Sequence, residues 1–139
     1  MSSENITKLT RAVQKRGQPF RVLVVDDEKW VREVFQDFCK VTDAFEVDQA
    51  RNGAEAVEKI RQSRYDLVTL DLIMPEMSGL EVLSAIQDVS PHVPVMVITG
   101  NATEKLVNEA GVMGACRVLY KPVMLEHFLS EITSALVRD

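Results

Sequence analysis

Asp71 lies within the run Val68-Thr69-Leu70-Asp71-Leu72-Ile73-Met74-Pro75, and Asp26, Asp27 and Glu28 follow directly on Val22-Leu23-Val24-Val25. Short, apolar, β-branched runs closed by turn residues read as buried strands of a parallel sheet, where an ionisable side chain is costly unless it is used. Asp71 is therefore the first functional candidate. Either acid group alone would also suit a helix cap or a solvated loop. Two strand ends that both deliver carboxylates require more explanation, and two further polar residues, Thr99 and Lys121, close later apolar runs.

Three carboxylates, a hydroxyl and an amine at neighbouring strand ends suit a divalent cation and a phosphoryl group. Hard oxygen ligands from only a few carboxylates fit Mg²⁺, which keeps several waters and also engages phosphate oxygens. A carboxylate can itself accept a phosphoryl group as an acyl phosphate. Clustered acids raise one another's pKa unless positive charge sits among them, so a metal and Lys121 would make the cluster tolerable as well as reactive.

The elements that must position these residues alternate from Arg21 onward. A strand over Arg21–Asp26 is followed by a helix from about Glu28 to Val41, with Val31, Val34, Phe35 and Phe38 on one face and Trp30 and Cys39 at its edges. A strand from about Phe45 to Ala50, an Asn52-Gly53 turn, and a helix with Ala54, Val57 and Ile60 inward come next. The strand Leu67–Asp71 precedes a helix begun by Ser78-Gly79, with Leu80, Leu83 and Ile86 inward. Pro94 introduces a strand over Val95–Thr99, and a short polar helix follows from about Thr103 to Ala110. The last strand spans Cys116–Tyr120, and Pro122 opens a final helix with Leu125, Phe128, Leu129, Ile132 and Leu136 at core spacing. Five strands alternating with five helices predict a parallel sheet covered on both faces, with its site outside the carboxyl ends of the strands.

The 139 residues fit one domain, 46% hydrophobic and 27% charged. Residues 1–20 read as an extension, helix or loose arm, in which Ile6, Leu9 and Val13 form a weak apolar stripe before Gly17 and Pro19. It carries a net +3, leaving −8 on the remainder of a chain whose formal charge is −5. That acidic body argues against nucleic-acid binding. Cys39 and Cys116, each within an apolar pattern, are expected to be reduced core residues. No apolar stretch has the length of a membrane span and no secretory signal opens the chain, so a cytoplasmic location is expected. His92 and His127 are expected at the surface without acidic partners, and Met74, Met77 and Met113 as gap-fillers.

From Arg21 to about Val137 the chain resembles the receiver domains of two-component response regulators. The motifs that carry the resemblance are Val24-Val25-Asp26-Asp27-Glu28, Asp71-Leu72-Ile73-Met74-Pro75-Glu76-Met77-Ser78-Gly79-Leu80, Ile98-Thr99-Gly100 and Tyr120-Lys121-Pro122. The resemblance implies a flavodoxin-like α/β fold with strand order 2-1-3-4-5, and a division into an extension over residues 1–20 and a receiver domain over residues 21–139. It implies that Asp71 accepts phosphate from a sensor histidine kinase or a phosphotransfer protein. It further implies that Asp27, Asp71 and the backbone carbonyl of Ile73 hold Mg²⁺, with Asp26 acting mainly through bound water. Lys121 would pair with the phosphoryl oxygens, Thr99 would turn inward to them, and the Lys121-Pro122 bond would be cis.

The expected protein is thus a stand-alone, phosphorylation-controlled module rather than an enzyme, signalling to a downstream effector protein through the face made by the Thr103–Ala110 helix, the last strand and the final helix. A homodimer through the arm is an open alternative. Receivers usually carry an aromatic ring three residues before the lysine, where this chain has Val118; Tyr120, on the same side of the strand, is the candidate output aromatic in its place. Two other readings compete. One is a Mg²⁺-dependent phosphatase working through an aspartyl phosphate, against which Ile73 offers no second carboxylate. The other is a dinucleotide-binding domain, which lacks G-x-G-x-x-G after the first strand.

Overall fold

The computed structural model describes residues 2–137. Helix α1 spans Ser2–Arg16, with Glu4 in its first turn and Lys15 and Arg16 in its last, charges that complement the helix dipole. Gly17 ends it in the left-handed region at φ +80°, where its N–H donates to the Val13 carbonyl over 2.8 Å. Then β1 (Phe20–Val25), α2 (Lys29–Cys39), β2 (Phe45–Ala50), α3 (Gly53–Gln62), β3 (Leu67–Leu70), α4 (Gly79–Val89), β4 (Val95–Thr99), α5 (Glu104–Val112), β5 (Arg117–Tyr120) and α6 (Leu125–Leu136) alternate along the chain. The five strands form one parallel sheet in the order β2-β1-β3-β4-β5, the flavodoxin-like order.

Side chains alternate across that sheet, and the two faces have separate cores. Leu23, Val25, Val68, Leu70, Val95 and Val97 face α3, α4 and α5, where Ala56, Ile60, Val82, Leu83, Ile86 and Ala110 meet them. Val22, Val24, Leu67, Met96, Ile98 and Leu119 face α2 and α6, closed by Val31, Phe35, Phe128, Leu129 and Ile132. Phe35 and Phe128 stack there with ring centroids 5.3 Å apart. Side-chain caps from Asn52, Ser78 and Thr103 start α3, α4 and α5, each accepting from the N–H three residues on.

Several expectations change in the fold. Cys116 is exposed just before β5, an edge strand whose apolar run is not enclosed on both sides, while Cys39 is buried on α2 and burial pushes its thiol up to about 12. On α3 the buried positions are Gly53, Ala56 and Ile60, and Ala54 is exposed, because the helix begins at Gly53 and turns Ala54 outward. His127 does have an acidic neighbour: Glu131, one turn on along α6, places a carboxylate oxygen 3.6 Å from its Nε2.

Helix α1 is bound to the body. Leu9 is fully buried in a small cluster with Phe20 and Ala44, against which Leu136 and Val137 also pack. Arg16 adds a 3.0 Å ion pair to Asp66, and its guanidinium lies over the Phe20 ring. Truncating Leu9→Ala should therefore lower the unfolding free energy by about 2–5 kcal/mol, as for other buried leucines. Urea denaturation checks this; a change within a few tenths of a kcal/mol would mean α1 is only an appendage.

Candidate functional site

Register assembles the site. Val25 pairs with Leu70 and Leu70 with Val97, so Asp26 and Asp71 leave adjacent central strands side by side. The Asp71 N–H donates to the Val25 carbonyl over 3.1 Å, and the Asp26 N–H to Ala50 over 3.1 Å, so both acids stay on the ladder at their backbone. Strand alternation puts Asp26, Asp71 and Lys121 on the side facing α2 and α6. Lys121 is brought into reach by β5, its N–H bonded to the Thr99 carbonyl, ahead of a cis Lys121-Pro122 bond.

The β3–α4 loop shapes the other wall. Gly79 donates its N–H to the Leu72 carbonyl, and a Cβ there would lie 2.3 Å from the Leu72 Cα, so no larger residue fits without moving the loop. Glu76 takes a positive φ of 73° in the same loop.

Asp26 is 1% and Asp71 4% exposed, whereas Asp27 is open to solvent. Lys121 Nζ donates to Asp26 Oδ2 over 2.8 Å and to Asp71 Oδ2 over 3.0 Å. The second Asp71 oxygen, Oδ1, accepts from the Ile73 N–H at 3.0 Å and from the Thr99 hydroxyl at 3.1 Å. Asp26 Oδ1 accepts at 2.9 Å from the N–H of Glu28, the residue at the N-cap of α2, whose own side chain makes no capping bond. Glu28 instead accepts from the indole N–H of exposed Trp30. One carboxylate oxygen each from Asp26, Asp27 and Asp71 lie within 4.8 Å of one another. An all-oxygen donor set of that spacing fits a hard divalent cation with waters completing its shell.

Burial raises the Asp26 pKa above the ordinary carboxylate value, and the bonds from Lys121 and the Glu28 N–H only partly offset it. For Lys121 burial works the other way, against its charge, yet the bonds to Asp26 and Asp71 outweigh it and raise the amine. The site thus holds a lysine firmly charged between two buried acids.

Every residue singled out in the sequence has a definite place. Asp26, Asp27, Asp71, Thr99 and Lys121 converge; Thr99 is already turned inward and fully buried. Ile73 stands at the rim and is 46% exposed. Tyr120 points away from the cluster and is 56% exposed, while Val118 is half-buried against the α3–α5 core. One contributor has no signature in the sequence: Arg32 on α2 reaches back to the Asp26 carbonyl oxygen at 2.7 Å.

The sequence and the fold are similar to those of known proteins. Residues 22–133 match the response regulator receiver domain. The chain is 34% identical over 117 residues to the chemotaxis protein CheY of Bacillus subtilis, spanning 84% of this chain and 97% of that protein. It is 40% identical over 109 residues to the transcription factor SKN7 of Chaetomium thermophilum, but there spans 77% of this chain and only 14% of the relative. Among solved structures it resembles the CheX–CheY–BeF₃–Mg²⁺ complex from Borrelia burgdorferi, with a TM-score of 0.83 and 31% identity over 90% of this chain and 95% of that one.

The electrostatics carry a pH signature. A carboxyl whose pKa is raised by folding favours the folded state fully below its unfolded value, near 3.8, and this contribution is lost as pH rises through the folded pKa. Asp26→Asn should therefore raise the urea midpoint of the metal-free protein at pH 7, with the gain over wild type fading as pH falls toward 3.8. A destabilised Asp26→Asn at pH 7 would mean that the bond to Lys121 outweighs burial.

Proposed function

The chain belongs to the response regulator receiver domain family, whose members work in phosphorylation-controlled signalling, and we propose that Asp71 is the residue that accepts the phosphoryl group. The observation that carries this reading is the ring of donors on Asp71: Lys121 on one oxygen, Thr99 and the Ile73 N–H on the other. Asp26 has a different setting, its oxygens turned to Lys121 and the Glu28 N–H. Donors already aimed at a carboxylate are in place for the oxygens of a phosphoryl group attached to it, and such positioned charge is most of what phosphoryl transfer needs.

The donor is a phosphohistidine on a sensor histidine kinase or a phosphotransfer protein. An oxygen of Asp71 forms the new O–P bond while the P–N bond breaks, and the departing electron pair stays on the imidazole nitrogen, which takes a proton from solvent. Lys121, a compact ammonium with three donors, can exchange an acid partner for a phosphoryl oxygen without leaving its place. Thr99 holds its hydroxyl ready for another. Asp26, Asp27 and Asp71 would hold Mg²⁺, joined by the Ile73 carbonyl, with Asp26 acting mainly through water; when bound, the ion supplies charge that neutralises the phosphoryl oxygens.

The remaining assignments follow the same reading. Residues 21–139 are the receiver domain and residues 1–20 an extension, in keeping with a family match that starts at residue 22. Among the described residues no helix is long and apolar enough to cross a membrane, and a cytoplasmic module is proposed that acts on a downstream effector protein without binding nucleic acid. The effector would dock on α5, β5 and α6, where Tyr120 and Val112 are exposed. A homodimer remains the alternative use of the extension.

Incubation with Mg²⁺ and acetyl phosphate or phosphoramidate, followed by intact-mass measurement, tests the acceptor. Wild type should gain one phosphoryl group, Asp71→Asn none, and Asp27→Ala should need more Mg²⁺ for the same labelling. An undiminished adduct in Asp71→Asn would reject Asp71. The output aromatic is tested separately: beryllofluoride should shift the ring resonances of Tyr120, and identical shifts in free and bound protein would make Tyr120 a static surface residue.

A further inference from the structure

We propose that Arg32 is a positioning residue for the acid pair, holding the Asp26–Asp27 peptide so that the two carboxylates stand where a divalent cation can use both. The inference rests on the reading of Asp26, Asp27 and Asp71 as the cation site.

Asp27 is exposed, and its carboxylate has no hydrogen-bond or ion-pair partner among the described residues. Its position is therefore set by the backbone that carries it. That backbone is gripped from two sides. The Asp26 N–H is bonded to the Ala50 carbonyl of β2. The Asp26 carbonyl, which belongs to the planar peptide unit joining Asp26 to Asp27, accepts from Arg32 Nη1 at 2.7 Å.

Arg32 is itself braced. Its Nε donates to the Gln49 side-chain oxygen at 3.1 Å, the Gln49 amide donates to the Gln36 side chain on α2, and the Gln49 carbonyl accepts from Lys59 Nζ at 2.6 Å. The guanidinium thus ties the first turns of α2, the loop carrying both acids and the end of β2 into one unit. Among the described residues Arg32 forms no ion pair, although the chain is rich in acids. A charge-assisted bond to a carbonyl is strong and directional, and the planar fork serves two acceptors that an ammonium could not hold in the same way.

Mg²⁺ demands near-ideal octahedral geometry, so rotation of this peptide would cost affinity. The sign of the effect identifies the role. As a bare positive charge, Arg32 would repel a cation and its removal would tighten binding; as a brace, its removal weakens binding.

Calorimetric titration of the full chain with Mg²⁺ reads this directly. Arg32→Met should weaken Mg²⁺ binding by about 10–100-fold, the usual range for residues that orient metal ligands. Arg32→Lys, which keeps the charge and a donor group but not the planar fork, should recover part of it, and Gln49→Ala, which removes only the brace, should show a smaller loss in the same direction. In EDTA, amide exchange at Asp26, whose N–H is bonded to the Ala50 carbonyl, should quicken in Arg32→Met with no metal present. If Arg32→Met does not fold, the other two variants decide on the same criteria. Unchanged or tighter Mg²⁺ binding in the folded variants overturns the proposal. Weakened binding in Arg32→Met together with labelling that survives Asp71→Asn would keep the positioning role and reject Asp71 as acceptor.

Discussion

Two carboxylates buried side by side repel each other and lose their hydration, and the rest of this molecule is arranged around that problem. Asp26 and Asp71 would not remain in place as neighbours without a cation between them, and Lys121 supplies it with one bond to each. Taking such charges out of water costs several kcal/mol per ion, and removal of Lys121 would leave both acids uncompensated. The arrangement is therefore conditional. Its charge balance would change with any charged group that entered, a sensitivity that suits a family working in phosphorylation-controlled signalling.

The sheet makes the arrangement affordable in conformational terms. Parallel strands in the order β2-β1-β3-β4-β5 end at one edge, and the acids sit one step beyond the last paired residues of β1 and β3. Their N–H groups remain on the ladder while their side chains leave the core. The close approach at Gly79 then folds the β3–α4 loop back over Leu72, which keeps the wall beside Asp71 compact. Fold and site are one structure here: a slip of one residue in the β1–β3 register would turn the acids to opposite sides.

Much of this was legible in the chain because buried strands are short, apolar and punctuated. The runs before Asp26, Asp71, Thr99 and Lys121 each end in a polar residue, and topology brings such ends together. What the pattern could not convey is enclosure. Cys116 lies in an apolar stretch like Cys39, but only one of them is covered, because an edge strand and a helix facing the sheet read alike in one dimension. The placing of Ala54 and Ala56 on α3 has a similar source, since two small residues of one type half a turn apart do not themselves say which is covered, whereas Ile60 is buried as its type suggests. Arg32 was illegible for a different reason: its partner is a backbone carbonyl, which every residue has, so nothing in the residue types marks the contact. The His127–Glu131 pair, by contrast, is spaced by four residues, a separation that places both on one helix face and is visible in the sequence.

The docking of α1 has a consequence for how the chain is made. Leu9, near the beginning, is enclosed in part by Leu136 and Val137, near the end. A chain emerging from the ribosome exposes its first helix long before the residues that cover it exist. The strands and helices of the body can associate in order of synthesis, but the first helix must wait for the last. Its apolar face, Leu9 with Ala12 and Val13, therefore lacks part of its cover until Leu136 and Val137 have been made.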